Sequence, residues 1–203
     1  MEGDTDMQQT RAWERERMGD RPIEDDARRL LARVAAGDRP ALADLYARYA
    51  RPLLGYLSQL TPDHGAAEDI LQETFVAVWR GAGAFKDQSA VYTWMLGIAR
   101  RQAHNTLRGC ALPSADVAEL EDVPAADPEP EQAALAGAAR EELAATIKRL
   151  APVHREVLAL SFVHDLSYQE MSAVLGVPLG TVKSRLSNAK RALRALLAGK
   201  EEQ

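Results

Sequence analysis

The chain has 203 residues, of which 46% are hydrophobic and only 5% aromatic, and its formal net charge is -5. A single cysteine, Cys110, excludes an internal disulfide and a cysteine-based metal cluster. No apolar run approaches the ~18 residues of a membrane span and no secretory signal opens the chain, so we expect a cytoplasmic protein without membrane insertion. Ala, Leu, Arg and Glu dominate and no stretch alternates like a strand, which favours an all-α protein of one or two domains. Because the overall charge is acidic, binding of nucleic acid would depend on local basic patches.

The N-terminal part predicts an arm and two helices. Residues 1–22 are charged and lack a sustained apolar stripe, so we expect a disordered arm. The spacing of Leu30, Leu31 and Val34 predicts the buried side of a helix over about 23–37. A second helix begins after Asp38, and Pro52 is expected to kink or split it, because proline cannot donate to the preceding turn.

The next helix, over about 63–80, has two different faces. Its inward stripe contains Ala67, Leu71, Phe75 and Val78. Its other face contains Asp69, Gln72, Glu73 and Val76, with Trp79 at the edge. An ordinary solvated helix has such a face too, but this mixture of acids with Val and Trp is also typical of a surface that docks another protein.

A loop over 81–88, with Phe85 and Lys86 at its centre, leads to a helix that ends near Arg108 and that Ser89 is expected to cap. The inward residues of this helix are Leu96, Ala99, Ala103 and Leu107. The opposite side contains Trp94, Ile98, Arg101, Asn105 and Arg108, flanked by Arg100 and His104. An aromatic ring beside Arg and Asn side chains suits unpaired bases and phosphates, although Trp94 fits a core position equally well.

The composition then changes. Residues 109–131 contain seven acids, four prolines and no basic residue, which predicts an extended acidic linker. Because it is acidic, we expect this segment to compete with DNA for basic surfaces of the same chain. Helices are predicted over about 132–150, 152–163, 167–175 and 181–197. The apolar support for the last two comes from Leu143, Ile147, Leu150, Val157, Leu158 and Leu160.

The last two helices have the pattern of a helix-turn-helix. Ser167 and Glu170 form a capping box, and Gly176 supplies a left-handed residue before Pro178. In the final helix, the apolar residues that fall on one side are Val182, Leu186, Ala189, Leu193 and Leu196. Between residues 181 and 200 there are six Lys or Arg and no acid. A basic face is by itself typical of a solvated surface. Together with the capping box and the tight turn it favours a helix that enters the DNA major groove.

Three blocks in this order resemble the extracytoplasmic-function group of bacterial sigma factors. Residues 67–79 (AEDILQETFVAVW) resemble the core-polymerase-binding helix of that family. Residues 92–108 (YTWMLGIARRQAHNTLR) resemble its −10 helix, and residues 167–193 resemble its −35-reading helix-turn-helix. The resemblance covers about 24–198. It implies two small helical domains, over 23–109 and 132–198, joined by a flexible acidic linker over 110–131, with the helix-turn-helix ending the second.

The resemblance also implies a function: the chain would bind core RNA polymerase, recognise −10 and −35 elements and help to melt the DNA. It would not be an enzyme itself. The polymerase-binding residues would be Asp69, Gln72, Glu73, Val76 and Trp79. The −10 residues would be Phe85, Lys86, Trp94, Arg100, Arg101, Asn105 and Arg108, with the loop at Phe85 and Lys86 holding a flipped base. The −35 residues would be Thr181, Lys183, Ser184, Arg185, Ser187, Asn188 and Arg191. Core RNA polymerase, promoter DNA and an anti-sigma protein are the implied partners, without a cofactor or metal. The family usually has Asn and Asp where this chain has Arg101 and Asn105, so the choice of −10 bases is expected to differ.

Other functions stay open on the sequence alone. A helix-turn-helix activator that does not bind core polymerase would have no need of the polar face on residues 67–79. A protein-interaction adaptor would show no DNA affinity even with core polymerase present. An enzyme is disfavoured, because the four histidines, His64, His104, His154 and His164, have neither metal-ligand spacing nor a paired nucleophile.

Overall fold

The computed structural model describes residues 23–61, 63–109 and 143–201, and for 107–109 and 199–201 it describes the backbone alone. The predicted arm over 1–22, the linker over 110–131 and Cys110 lie outside the described residues. No strand occurs in the described ranges, and the prediction of an all-α protein is confirmed. The helices are α1 (23–35), α2 (Arg39–Leu60), α3 (His64–Gly81), α4 (Val91–Gly109), α5 (143–148), α6 (Pro152–Leu158), α7 (Tyr168–Leu175) and α8 (Leu179–Glu201). A 3-10 turn (Ala82–Ala84) follows α3, and a π turn (Ala159–Val163) continues α6.

Helix α2 passes through its internal proline. The helix begins after Asp38 as predicted, and Asp38 caps it by accepting a hydrogen bond from the Ala41 amide at 3.2 Å. The predicted split at Pro52 does not occur, since α2 runs without a break from Arg39 to Leu60. A proline inside a helix costs about 3 kcal/mol. Complete burial of apolar side chains on the following turn, such as Leu53 and Leu57, stabilises the helix by roughly 1.5–3 kcal/mol each and offsets that cost.

Helix α4 is capped by a residue from α1. The prediction that Ser89 caps this helix is wrong, because the Ser89 hydroxyl donates to the Ala90 carbonyl instead. The Val91 amide donates to the Glu24 carboxylate at 2.9 Å, and the same Glu24 oxygen pairs with Arg28. A carboxylate is favourable at a helix N-terminus, where the helix dipole is positive. The start of α4 is therefore held by a contact that no local sequence pattern contains.

Helix α4 is also more enclosed than predicted. Leu96, Ala99 and Ala103 are buried, as the pattern indicates, but so is Ile98, which was expected on the outer face. The reason is that α4 contacts α3 and α2 within α1–α4 and α7 beyond them. A helix covered on two sides buries a wider arc than a single stripe.

The C-terminal helices form the predicted helix-turn-helix. Ser167 and Glu170 make both bonds of the capping box, and Gly176 ends α7 with φ 66°. Helix α8 begins at Leu179 rather than Thr181 and continues to Glu201, beyond the predicted end. Leu150, Val157, Leu158 and Leu160 are buried as predicted. Leu143 is not: it is 42% exposed, because the packed part of α5 starts further along the helix, at Thr146.

The capping box supports a stability prediction. The Ser167 hydroxyl accepts from the Glu170 amide at 3.2 Å, and the Glu170 carboxylate accepts from the Ser167 amide at 3.0 Å. We expect Ser167→Ala to lower the free energy of unfolding by about 0.5–2 kcal/mol, because it leaves a helix N-terminus without its acceptor. Urea denaturation measures the change. The exposed Ser187→Ala on α8 is the control and should change stability by less than about 0.5 kcal/mol.

The two groups of helices pack against each other. We call α1–α4 the N-terminal bundle and α5–α8 the C-terminal bundle. Helix α4 contacts α7, and α2 contacts α6. The buried apolar side chains of both bundles form one continuous cluster. In the described structure the linked modules are therefore in direct contact.

Candidate nucleic-acid and protein interfaces

The outward side of α3 has the composition of a protein-docking surface. Asp69, Gln72, Glu73 and Val76 are all exposed and Trp79 is half-buried, while Leu71, Phe75 and Val78 point into the core. Tyr46 of α2 is 47% exposed, and its ring centroid lies 4.8 Å from that of Phe75. Val76 is 48% exposed. The surface thus combines two carboxylates with exposed aromatic and aliphatic groups, which a solvated helix does not need.

The loop after α3 is fixed against α4 by an aromatic pair. The rings of Phe85 and Trp94 meet edge-on, with centroids 5.3 Å apart and planes at 62°. Both residues are half-buried. For Trp94 the sequence allowed either a core or a surface position, and the structure shows that one part of the side chain is packed and the other is exposed. Lys86 is exposed beside this pair. The loop therefore presents a cation next to aromatic edges, a combination suited to a nucleotide.

The basic side of α4 divides into two parts. Arg101 and Asn105 are exposed, and the side chain of Arg108 lies outside the described residues. Arg100 is different, because its side chain is only 20% exposed and its Nε donates to Glu156 Oε1 of α6 at 2.7 Å. Arg100, one of the predicted −10 residues, is thus paired with a residue of the C-terminal bundle.

An aromatic cluster lies next to this ion pair. Nδ1 of His164 is 2.8 Å from the Tyr92 hydroxyl, and its ring meets that of Tyr56 edge-on at 5.5 Å. Within the described residues His164 Nε2 is buried and has no hydrogen-bond partner. Burial lowers the pKa of His164 from 6.5 to about 4 and raises that of Tyr92. The imidazole is therefore neutral at pH 7.

This burial predicts a pH dependence. When the bundles are packed, His164 binds a proton only near pH 4, whereas an exposed histidine binds one near 6.5. The stability of the packed form should therefore be complete above pH 6.5 and should fall as the pH drops toward 4, because the unpacked form takes up the proton first. Urea unfolding at pH 7 and pH 5 measures this. Protonation of exposed carboxylates lowers the stability of both proteins by the same amount. Between pH 7 and pH 5, the free energy of unfolding should therefore decrease less in His164→Gln than in the unmodified protein, and an equal decrease in both would contradict the prediction.

The outward side of α8 is basic and rich in small polar groups. Val182, Leu186 and Ala189 are buried beneath it. The exposed residues are Lys183, Ser184, Ser187, Asn188 and Arg191, and Thr181 and Arg185 are half-buried at the edge. Arg191 donates to the Asn188 side-chain oxygen at 2.9 Å, so these two side chains are oriented together. A guanidinium beside an amide on an exposed helix offers the donors and acceptors that read base edges.

Two negative observations concern the same described ranges. They contain no group of three or more His, Cys, Asp or Glu residues placed to hold a metal ion. None of the helices in them is long and apolar enough to cross a membrane.

Comparison with known proteins assigns the two bundles. The family model for Sigma-70 region 2 matches residues 45–110, and the model for Sigma-70, region 4, matches residues 140–193. RNA polymerase sigma-H factor of Pseudomonas aeruginosa is 33% identical over 183 residues, which cover 84% of this chain and 93% of that protein. ECF RNA polymerase sigma-E factor of Salmonella typhimurium is 34% identical over 173 residues, covering 81% and 90%.

Solved structures show the same fold. CnrH in complex with the cytosolic domain of CnrY has a TM-score of 0.62 and 26% identity, with 86% of this chain and 99% of that chain covered. The sigma factor RpoE of Bartonella quintana, solved with the anti-sigma factor NepR, has a TM-score of 0.60 and 22% identity, covering 76% and 97%. This second likeness concerns the fold alone.

These similarities define a DNA-binding transcription initiation factor. The chain belongs to the extracytoplasmic-function (ECF) group of bacterial RNA polymerase sigma factors. It binds core RNA polymerase and directs promoter-specific initiation of transcription, and the findings favour this function over that of an activator that does not bind the polymerase.

Most of the residues that join the bundles have no local sequence pattern that marks them. Tyr56, Thr93 and Glu156 are not among the predicted functional residues, and His164 enters the sequence predictions only as a possible ligand. One signal was present: Glu156 stands three residues after Val153 and four before Leu160, so it lies within an apolar helical stripe. A carboxylate at such a position needs a buried partner.

Proposed function

We propose that three separate surfaces perform the three contacts of initiation: α3 with core polymerase, α4 and its preceding loop with the −10 strand, and α8 with the −35 groove. The observation that carries the proposal is that each surface is exposed, or partly so, and has the side chains its contact needs. We assign these surfaces to two domains, over 23–109 and 132–198, joined by the linker over 110–131.

On α3, we assign Asp69, Gln72, Glu73, Val76 and Trp79 to the polymerase. Two observations support this assignment: the first four residues are exposed on the same outward side of α3, and Tyr46 is exposed beside them. An interface core needs apolar contact, which Val76 and Trp79 supply, and a polar rim, which the two carboxylates supply. Acidic residues also select a basic partner and raise the rate of encounter.

On α4, we assign Arg100, Arg101, Asn105 and Arg108 to the −10 strand, and we assign Phe85, Lys86 and Trp94 to a flipped base. The aromatic pair supports this role, since it fixes the loop in place before any nucleotide binds. A prearranged site reduces the cost of ordering the loop on binding. Unstacking a base costs a few kcal/mol, which contacts in such a site have to offset.

On α8, we assign base reading to Asn188 and Arg185, supported by Ser184 and Ser187. Thr181, Lys183 and Arg191 contribute phosphate contacts and orientation. Asn188 is exposed near the centre of the outward face and its side-chain oxygen accepts from Arg191. Arg185 is half-buried at the edge, so its reach to the bases is shorter.

Two further assignments follow from the family. CnrH is solved with the cytosolic domain of CnrY bound, and it is 26% identical to this chain. We therefore propose that this chain also binds an anti-sigma protein. Because its polymerase partner and its template are cytoplasmic, we place it in the cytoplasm, and we propose that it performs no catalysis itself.

The assignment of α4 is tested in assembled holoenzyme. On a promoter selected by the protein, Arg101→Ala and Lys86→Ala should retain protection of the −35 region but lose permanganate reactivity of unpaired thymines near −10. The expected loss is about tenfold or more, because phosphate and base contacts that hold the open strand are removed. Arg29→Ala, an exposed arginine on α1, is the control. Normal melting by both variants would refute the role of α4.

A further inference from the structure

Helix α1 is bonded to the loop that leads into α4. The Nε of Arg28 lies 3.0 Å from Asp87 Oδ1, and its Nη1 donates to Asp87 Oδ2 at 3.4 Å. The same Nε donates to Glu24 Oε1 at 3.0 Å, and that oxygen also accepts from the Val91 amide at 2.9 Å. A chain of contacts therefore runs from the loop through α1 to the first turn of α4. We call Glu24, Arg28 and Asp87 the loop anchor.

Asp87 has a backbone conformation that needs support. Its φ is 57°, in the left-handed region that most side chains disfavour and that aspartate tolerates better than most. Such a conformation persists only where the surrounding contacts determine it. Arg28 supplies contacts of this kind, because it bonds both oxygens of the Asp87 carboxylate. Without Arg28, we expect the loop to leave this turn part of the time.

Lys86 lies between two residues that are each bonded or packed elsewhere. On one side, the ring of Phe85 meets that of Trp94 of α4 edge-on, with centroids 5.3 Å apart. On the other side, Asp87 is paired with Arg28 of α1. Lys86 itself is exposed. The direction in which the backbone presents this lysine is therefore determined by α4 on one side and by α1 on the other.

We propose that Arg28 is a positioning residue for base selection at −10, which acts through the loop anchor to fix Lys86 relative to the aromatic pair of Phe85 and Trp94. This inference rests on the assignment of those three residues to a flipped base. Arg28 itself does not contact the base. The Sigma-70 region 2 model begins at residue 45, so α1 lies in a part of this chain that the model does not match.

The loop anchor contributes to position more than to the stability of the fold. The side chains of Arg28 and Asp87 are 39% and 58% exposed, and an exposed ion pair contributes little to stability. Recognition of a base, by contrast, needs side chains that are held within about 0.5 Å of the productive geometry. Loss of the loop anchor should therefore reduce selection between bases while the fold stays intact.

The test measures base preference in holoenzyme assembled from core RNA polymerase and the full-length protein. The probe is a fork-junction DNA made from a promoter that the protein selects, with a single-stranded −10 segment and each of the four bases in turn at each −10 position. In Arg28→Ala, the preference at one −10 position should decrease about tenfold, a typical value for one base contact. The preference at −35 and the affinity for core polymerase should not change.

Two further substitutions at α1 are the comparison. Arg28→Lys keeps the charge but lacks the planar group that bonds two carboxylates at once, so it should retain part of the preference. Arg29→Ala removes the neighbouring exposed arginine and should retain all of it.

Asp87→Gly tests the loop side of the same contact. Glycine adopts a positive φ without strain, so the turn stays accessible while the carboxylate that pairs with Arg28 is removed. We expect a loss of preference at the same −10 position, and little further loss when Arg28→Ala is added, because both substitutions remove one interaction. In the full-length protein, hydrogen exchange should be faster over residues 85–91 in both variants and unchanged over residues 95–103.

Three results would overturn the positioning role. One is an unchanged −10 preference in Arg28→Ala and Asp87→Gly. Another is a loss of affinity that is equal for all −10 bases. The third is a loss of preference with faster exchange over residues 95–103 as well, since the loop anchor would then only stabilise α4.

Lys86→Ala separates this inference from the assignment on which it rests. If Lys86→Ala keeps the preference at that −10 position, the loop does not read a base, and the assignment and the inference fail together. If Lys86→Ala loses the preference while Arg28→Ala and Asp87→Gly keep it, the positioning role of Arg28 alone is refuted.

Discussion

Reversing the charges of Asp69 and Glu73 to Lys should weaken binding to core RNA polymerase by about 10–100-fold. Both carboxylates are exposed on the outward side of α3, and like charges placed opposite each other at an interface cost several kcal/mol. The helix itself should stay intact, because Leu71, Phe75 and Val78 on the opposite side form its packing. Surface plasmon resonance with immobilised core polymerase measures the affinity, and circular dichroism measures the helical content.

A matched control exists on the same bundle. Asp25 of α1 and Asp44 of α2 are also exposed, so Asp25→Lys with Asp44→Lys makes the same change in net charge away from α3. That protein should bind core polymerase as the unmodified chain does. Equal affinity of both double variants would remove α3 from the polymerase interface, while an equal loss in both would show that bulk charge, rather than this surface, determines binding.

Truncating Asn188 to Ala should change which −35 base is preferred, and not only how tightly DNA is held. A bidentate contact to a base edge contributes roughly 1–3 kcal/mol of discrimination, so one position of the −35 motif should lose between about fivefold and a hundredfold of its preference. The measurement is competitive binding of holoenzyme to a set of −35 variants. Arg185→Ala should have a smaller effect, because its half-buried position at the edge of α8 limits its reach.

The comparison variant is Arg194→Ala, an exposed residue further along α8. It should weaken all sequences alike and reduce the slope of log affinity against log salt by about one unit, as expected for one lost phosphate contact. If Asn188→Ala also lowers the affinity for every −35 variant by the same factor, other residues of the helix read the bases, with Ser184 and Ser187 the next candidates.

The features that could be predicted from sequence are those set by local chemistry. The capping box at Ser167, the left-handed Gly176 and the start of α2 after Asp38 depend on residues within one turn of each other, and all three are confirmed. The outward positions of Asp69 on α3 and Asn188 on α8 follow from the helical period alone. Each of these features needs no knowledge of what packs on the other side.

The features that could not be predicted depend on distant contacts. The cap of α4 is Glu24 rather than Ser89, and nothing in the sequence around Val91 indicates a carboxylate from α1. Ile98 is buried because helices from both bundles cover α4, whereas a single-helix pattern assigns it to the outer face. The interaction of Arg100 with Glu156 joins positions 56 residues apart in the chain, beyond any periodicity.

As a sigma factor, this chain should turn core RNA polymerase into a promoter-specific enzyme. Run-off transcription with purified core polymerase on a randomised promoter library, with and without the protein, measures this activity. We expect transcripts that depend on the protein and whose templates share two motifs, at −35 and −10. Transcripts no more abundant or selective than those of core polymerase alone, or selection of a single motif, would contradict it.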